Sequence, residues 1–337
     1  RTSATSAPAM VAVASSPATS AASEFTSPAS KYERLESNIG EGTYGKVHKA
    51  FHVRSGEIVA IKKAKETVAD RDVGGIGFTA LREVKVMQAI QHPNVMTCLD
   101  VFVEGQAVHL VMPYMDTDLK RIIEDSSMDL TEVHCKCLAQ QVLQGLGALH
   151  ERFFVHRDVT PNNVLLSFRT GLAKLSDFGF TRSLSSKRPM TTMCTTLWYR
   201  APELLFGAKF YGTAVDLWSC GCVISELVLR HPLFPGRGEF DMLQKVIECR
   251  GTPNEEVWKD VSSLPNFLEF TPHPQAPWSD VSSAFGRVSS AYLQLLDALL
   301  ALDPKRRPKA QEALRHQFFS SKSESCEANQ LPFVKPT

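Results

Sequence analysis

The chain has 337 residues, 43% of them hydrophobic, and a formal charge of +1. That is enough for one large core or for two lobes sharing an interface. The near-neutral balance gives no electrostatic case for a nucleic-acid partner, and no stretch approaches the roughly 18 uninterrupted apolar residues of a membrane span. Eight cysteines are scattered without paired C-x-x-C spacing, which argues against a metal cluster or disulfide framework and for reduced, intracellular thiols.

Residues 1–30 are rich in Ala, Ser, Thr and Pro with almost no charge, a composition that cannot bury enough apolar surface to offset chain entropy. A disordered leader is expected. Organelle transit peptides share its hydroxyl-rich, acid-poor character, but Arg1 is its single basic residue; Ser16-Pro17 and Ser27-Pro28 are candidate modification sites in an otherwise unconstrained linker. From Tyr32, short alternating apolar runs such as Glu57 to Ile61 and Val108 to Met112 read as a small antiparallel sheet. Between them Leu81, Val84, Val86, Met87 and Ile90 form the apolar stripe of one helix, ended by His92-Pro93-Asn94. Beyond Thr117 helical periods dominate. Leu138, Val142, Leu146 and Leu149 mark one helix, Leu217, Cys220, Ile224, Leu227 and Val228 a second, and Leu295, Leu296, Leu299 and Leu302 a third.

Four motifs carry chemistry along this frame. Gly40-Glu41-Gly42-Thr43-Tyr44-Gly45-Lys46-Val47 lies between two strand candidates, where glycines let backbone approach phosphates in a hairpin rather than at a helix start. Lys62 falls on the next strand, with an ammonium suited to α- and β-phosphates if a carboxylate orients it; Glu83 on the following helix is the candidate. In isolation each reads as a surface charge. The third motif is His156-Arg157-Asp158-Val159-Thr160-Pro161-Asn162-Asn163, and the fourth is Asp177-Phe178-Gly179. Asp158 is placed to accept the proton of a substrate hydroxyl. Asn163 and Asp177 offer the oxygen ligands that Mg²⁺ requires beside a triphosphate.

With Ala201-Pro202-Glu203 following in order, the chain resembles the protein kinase superfamily. The resemblance implies an α+β, bilobal kinase fold: a small β-rich N-lobe with one main helix over 31–115, a larger helical C-lobe over 116–320, and a tail over 321–337. Gly77-Phe78-Thr79-Ala80-Leu81-Arg82-Glu83 resembles the cyclin-contacting helix of cyclin-dependent kinases, and Thr196-Leu197-Trp198-Tyr199-Arg200-Ala201-Pro202-Glu203 resembles their substrate-binding segment. The family likeness implies ATP and Mg²⁺, with nucleotide contacts from Ile39 to Gly45, Val47, Ala60, Lys62, Leu165, and the inter-lobe residues Pro113, Met115 and Asp118. It matches Thr191 to an activating phosphothreonine, Arg82, Arg157 and Arg182 to the arginines that gather its phosphate, and Thr43 and Tyr44 to inhibitory phosphorylation sites. Arg200 matches the residue that shapes a pocket for proline after the target Ser/Thr. Glu203 with Arg307 resembles a buried structural ion pair, and Asp216 a carboxylate that ties down the His-Arg-Asp loop. A cyclin-like partner, Ser/Thr-Pro protein substrates, a cell-cycle or transcription role, and the nucleus and/or cytoplasm are the corresponding expectations. Leu204 to Ala208 and Gln330-Leu331-Pro332 look most like the branch that activates other family members, whereas the glycine loop looks more like the cell-cycle branch.

One position departs from the pattern. Thr160 stands where the family normally carries a Lys that contacts the transferring phosphate. Lys174 and Lys46 are the candidates to compensate. Three readings follow: a cyclin-dependent Ser/Thr kinase, a pseudokinase-like scaffold that binds nucleotide and a cyclin, and a neighbouring kinase type that needs no cyclin. Intact Lys62, Asp158, Asn163 and Asp177 weigh against the second, and the absence of a Thr-x-Tyr pair before Cys194 weighs against a mitogen-activated type for the third.

Overall fold

The computed structural model describes residues 28–42, 45–64, 78–105, 107–184, 188–192, 196–320 and 326–335. Thr43, Tyr44, Cys194 and Thr195 lie outside them.

The alternating apolar runs do form strands. β1 (Tyr32–Gly42), β2 (Gly45–His52), β3 (Ile58–Ala64), β4 (Asp100–Glu104) and β5 (Ala107–Pro113) make one antiparallel sheet in the order β1-β2-β3-β5-β4. Ala50, Val59, Ile61, Phe102 and Val111 close one of its faces into a small core. The other face receives helix α1 (Phe78–Ala89), which buries Val86 and Met87. The expected stripe is corrected at one position: Leu81 is 50% exposed while Glu83 is buried. The physical reason is Lys62 on β3, whose ammonium draws the carboxylate to the sheet side of the helix and turns Leu81 outward.

The second part is helical. Helices α2 (Glu132–Glu151), α3 (Ala214–Leu229), α4 (Glu239–Arg250) and α5 (Ser290–Leu299) surround a continuous core. Leu138, Leu146, Leu149, Leu217, Cys220, Leu295, Leu296 and Leu299 have no solvent exposure, as their 3.6-residue periods require. Short strands hold the irregular chain between the two parts: β6 (Thr117–Asp118), β8 (Val164–Leu166) and β9 (Ala173–Leu175) pair in that order, and β7 (Phe154–Val155) pairs with β10 (Arg182–Ser183). The turn from β8 to β9 requires glycine at 171, where φ is +67° and an added Cβ would sit 1.7 Å from the Ala328 carbonyl oxygen.

Two buried polar anchors set the site-bearing loops. Arg307 clamps Glu203 through Nη1 at 2.7 Å and Nη2 at 2.8 Å, and also donates to the carbonyls of Ala214, Ala301 and Leu302. Asp216, with no exposure, accepts backbone N–H bonds from His156 and Arg157, each at 2.8 Å, and contacts His150 Nε2 at 2.8 Å. Arg157 has φ of +72°, so the carboxylate holds the loop in a backbone conformation that L residues rarely adopt. Burial alone would raise the Asp216 pKa, but His150 and the loop N–H groups outweigh it and hold the carboxyl below its usual range.

Candidate active site

Between the sheet and the helical part lies a cavity of about 470 Å³. Val47 on β2 and Ala60 on β3 line it from the sheet and Leu165 on β8 from the helical part; Met112, Pro113, Tyr114, Met115 and Asp118, from the end of β5 through β6, complete the lining on that stretch. All but the glycine-loop members of the expected nucleotide set therefore converge on one space. For Ile39 to Gly42 and Gly45 the backbone alone is described: β1 and β2 pair Gly40 with Val47, Glu41 with Lys46 and Gly42 with Gly45. Pro113 ends β5 opposite Val59. Its carbonyl is the backbone group it can offer, whereas Met115 has both N–H and C=O.

The charged wall is built by three elements. Lys62 Nζ reaches Glu83 Oε1 at 2.8 Å and Oε2 at 3.0 Å, and lies 3.6 Å from Asp177 Oδ1. Burial by itself would lower the Lys62 pKa, but the charges of Glu83 and Asp177 raise it, so the ammonium stays protonated. Burial pushes the Glu83 carboxyl upward against the pull of Lys62. Gly179 stands beside this pair: a Cβ there would meet Thr79 Cγ2 at 2.9 Å and Glu83 Oε1 at 3.3 Å, so α1 can close on the Asp-Phe-Gly turn only over a glycine. Arg82 Nη1 donates to the Gly179 carbonyl.

The loop at His156 reaches the cavity through Asn163. Asp158 is 8% exposed and is held at both oxygens: Oδ1 accepts from Thr196 N at 3.0 Å and Thr196 Oγ1 at 3.1 Å, and Oδ2 accepts from Asn163 Nδ2 at 3.0 Å. Burial raises the Asp158 pKa, with the Thr196 donors and His156 opposing, a direction that suits a proton acceptor. His156 Nδ1 accepts from Asp158 N at 3.3 Å, so Nε2 carries the proton and donates to the Ser176 carbonyl at 3.0 Å. Ser176 in turn donates to the Asn163 carbonyl from N at 2.9 Å and from Oγ at 3.1 Å. This stitching sets Asn163 beside Asp177.

Hard oxygen donors for a divalent cation follow from the same bonds. The Asn163 amide nitrogen is spent on Asp158, which leaves Oδ1 for a cation, and the Asp177 side chain keeps 24% exposure toward the cavity. The donor set fits Mg²⁺.

Thr160 is 2% exposed and its carbonyl accepts the Asn163 N–H at 3.0 Å. Neither compensating lysine is in place: Lys174 Nζ is turned away onto the Pro93 carbonyl at 2.6 Å, and Lys46 is exposed on β2. Thr191 is exposed, and its carbonyl accepts from Arg157 Nη2 at 2.5 Å and from Tyr211 Oη at 2.6 Å. Arg157 is thus already on the activation segment, while Arg182 starts β10 exposed. Arg200, 7% exposed, pairs through Nη1 with Glu239 Oε1 at the start of α4.

Three participants escape a reading of motifs. Thr196 was visible only as part of a segment, and its two bonds to Asp158 depend on the chain folding back. Ser176 and Tyr211 gave no signal, because a lone Ser or Tyr outside a motif is uninformative.

A family profile described as protein kinase domain matches residues 32–319. Cyclin-dependent kinase 7 of Dictyostelium discoideum is 43% identical over 85% of this chain and 79% of its own length, and cyclin-dependent kinase 7 of Xenopus laevis 42% identical over 92% and 87%. Among solved structures, a chain of the CAK complex from Chaetomium thermophilum bound to ATP-gamma-S superposes with a TM-score of 0.83 at 36% identity, covering 90% of this chain and 95% of that one. With this cavity and this ordered set of motifs, the chain belongs to the protein kinase family, among the cyclin-dependent kinases, and is a protein Ser/Thr kinase.

Proposed function

We propose that this kinase, bound to a cyclin-like subunit, transfers the γ-phosphate of ATP to Ser or Thr followed by Pro. The observation that carries the reading is Asp158, buried and fixed at both oxygens, bonded to Asn163, which lines the same cavity as Lys62, Glu83 and Asp177. Val47, Ala60 and Leu165 would enclose the adenine, Pro113 and Met115 would bond its edge, and Asp118 would meet the ribose. The glycine backbone from Gly40 to Gly45 would cover the phosphates and Lys62 would neutralise them. Asn163 and Asp177 would hold Mg²⁺, which supplies charge compensation to the triphosphate. Asp158 orients the substrate hydroxyl and takes its proton; the hydroxyl oxygen bonds to the γ-phosphorus as the bond from that phosphorus to the departing ADP oxygen breaks.

Ser/Thr-Pro selection is supported by Arg200, locked by Glu239 behind the segment that leads into Tyr199. A cyclin partner is supported by Leu81, an apolar side chain 50% exposed on α1, and by relatives named as cyclin-dependent. Phosphorylation of Thr191 would give Arg157 a dianion in place of a carbonyl, with Arg82 and Arg182 as its further partners. Regulation at Thr43 and Tyr44, control of the cell cycle or of transcription, and residence in nucleus or cytoplasm complete the reading. The alternative, a cyclin-binding scaffold with little transfer, rests on Thr160 and on the placement of Lys174 away from the site.

The test is radiolabelled phosphate transfer by the purified chain, with and without candidate cyclins, to Ser-Pro and Ser-Ala peptides. Cyclin-stimulated transfer to Ser-Pro, abolished in Asp158→Asn, is expected. Transfer absent with every cyclin supports the scaffold, and equal transfer to both peptides removes the proline assignment.

A further inference from the structure

We propose that Cys137 and Cys326 form a reversible oxidation site, closed by a small-molecule disulfide such as oxidised glutathione, that latches the C-terminal segment to the helical part of the protein. Cys137 is on α2 and 7% exposed; Cys326 opens the segment 326–335 and is half-buried. The fold brings them to one neighbourhood although they are far apart in sequence: the Gln141 amide that bonds Cys137 also bonds the Gly171 carbonyl, and Gly171 abuts the Ala328 backbone, two residues after Cys326. Cys137 Sγ accepts from Gln141 Nε2 at 3.6 Å.

The segment that carries Cys326 is seated independently of that contact. Leu331 and Phe333 are 2% and 3% exposed, Lys335 N donates to the Phe168 carbonyl at 2.8 Å, and the Phe168 and Phe333 rings lie 6.3 Å apart. Ala328 sits against Gly171 at the β8–β9 turn. Proximity is therefore built by the fold; closing the bond to about 2.05 Å requires the Cys326 thiol to leave the Glu327 carbonyl, which it now meets at 3.2 Å, and turn toward Cys137. Cys326 is the entry point for the oxidant: it meets solvent, whereas Cys137, Cys135, Cys220, Cys222 and Cys249 are buried, and Cys98, also partly exposed, bonds to the Asp100 carbonyl on β4, in the sheet.

The chemistry balances in two exchanges. The Cys326 thiolate attacks one sulfur of oxidised glutathione, forming a mixed disulfide and expelling a glutathione thiolate that takes up the proton Cys326 lost. The Cys137 thiolate then attacks the Cys326 sulfur, closing the protein disulfide and releasing a second glutathione, which takes the Cys137 proton. Burial pushes the Cys137 thiol up to about 11 and raises Cys326 as well, so the thiolate fraction is small at neutral pH and the exchange is slow. Placement on one fold offsets this by making the second step intramolecular. The bond would reinforce a tie already present: Gln141 accepts from Ala173 N at 2.8 Å and donates to the Gly171 carbonyl at 3.2 Å, on the hairpin whose second strand leads to Asp177.

The test incubates the full chain with oxidised glutathione at pH 8, then maps disulfide-linked peptides and records the thermal midpoint. A Cys137–Cys326 peptide is expected, with a midpoint several degrees higher, both reversed by dithiothreitol and both absent in Cys326→Ser. Cys137→Ala should retain a glutathione adduct on Cys326. A stable Cys326 adduct in the wild type with Cys137 still free would overturn the proposal, and so would a linkage that leaves the midpoint unchanged. None of these readouts depends on kinase activity.

Discussion

Thr160→Lys puts a cation at a position where, among the described residues, neither Lys174 nor Lys46 supplies one. In the wild type, Lys62 is committed to Glu83 and Asp177, and Lys174 is bonded to the Pro93 carbonyl. The Thr160 carbonyl is held by the Asn163 N–H, so the loop backbone is anchored at this position, while the buried Thr160 side chain must be replaced by one long enough to extend toward the cavity. A single preorganised group aimed at developing charge is worth about 2–4 kcal/mol in the transition state. At 1.36 kcal/mol per tenfold, that converts to roughly 30- to 1,000-fold in kcat. The assay is steady-state transfer to a Ser-Pro peptide at saturating ATP with the cyclin bound, and a thermal midpoint checks that the variant is folded. A folded, ATP-binding Thr160→Lys whose kcat stays within about threefold of wild type would refute the reasoning, because a second cation would then already be serving the phosphate.

Three further outcomes are expected. Arg307→Met leaves Glu203 charged and buried without its partner, and should cost about 3–5 kcal/mol in urea unfolding; a loss below about 1 kcal/mol would contradict the anchoring role. Asp216 has a depressed pKa, so its stabilisation is fully present above the unfolded carboxylate value of about 3.9 and is lost as pH falls through the folded value. Asp216→Asn should be less stable at neutral pH and show a flatter acid limb, and an acid limb identical to wild type would assign it to other groups. Gly171→Ala forces a side chain into positive φ and against Ala328, which should release the 326–335 segment to proteolysis and reduce the Cys137–Cys326 cross-link; full protection would show that the segment does not rest on that turn.

The sequence determined the reaction class and the helical frame, because both are written in local patterns. The glycine loop, Lys62, Asp158, Asn163 and Asp177 follow one another in the order that the kinase resemblance requires, and Leu138, Leu217 and Leu295 sit on 3.6-residue periods that hold wherever a helix meets a core. Tertiary structure decided what depends on residues distant in the chain. Leu81 belonged to an apolar stripe, yet it faces solvent, since the ammonium of Lys62 on another element chose which face of α1 turns inward. Lys174 has the charge to replace the missing lysine, but its strand aims it at Pro93. Thr196 grips Asp158, Tyr211 shares the Thr191 carbonyl with Arg157, and the C-terminal segment carries Cys326 to the β8–β9 turn that Gln141 ties to Cys137. Composition and spacing along the chain contain the identity of each such residue; its direction is set by whichever distant group makes the buried contact most favourable.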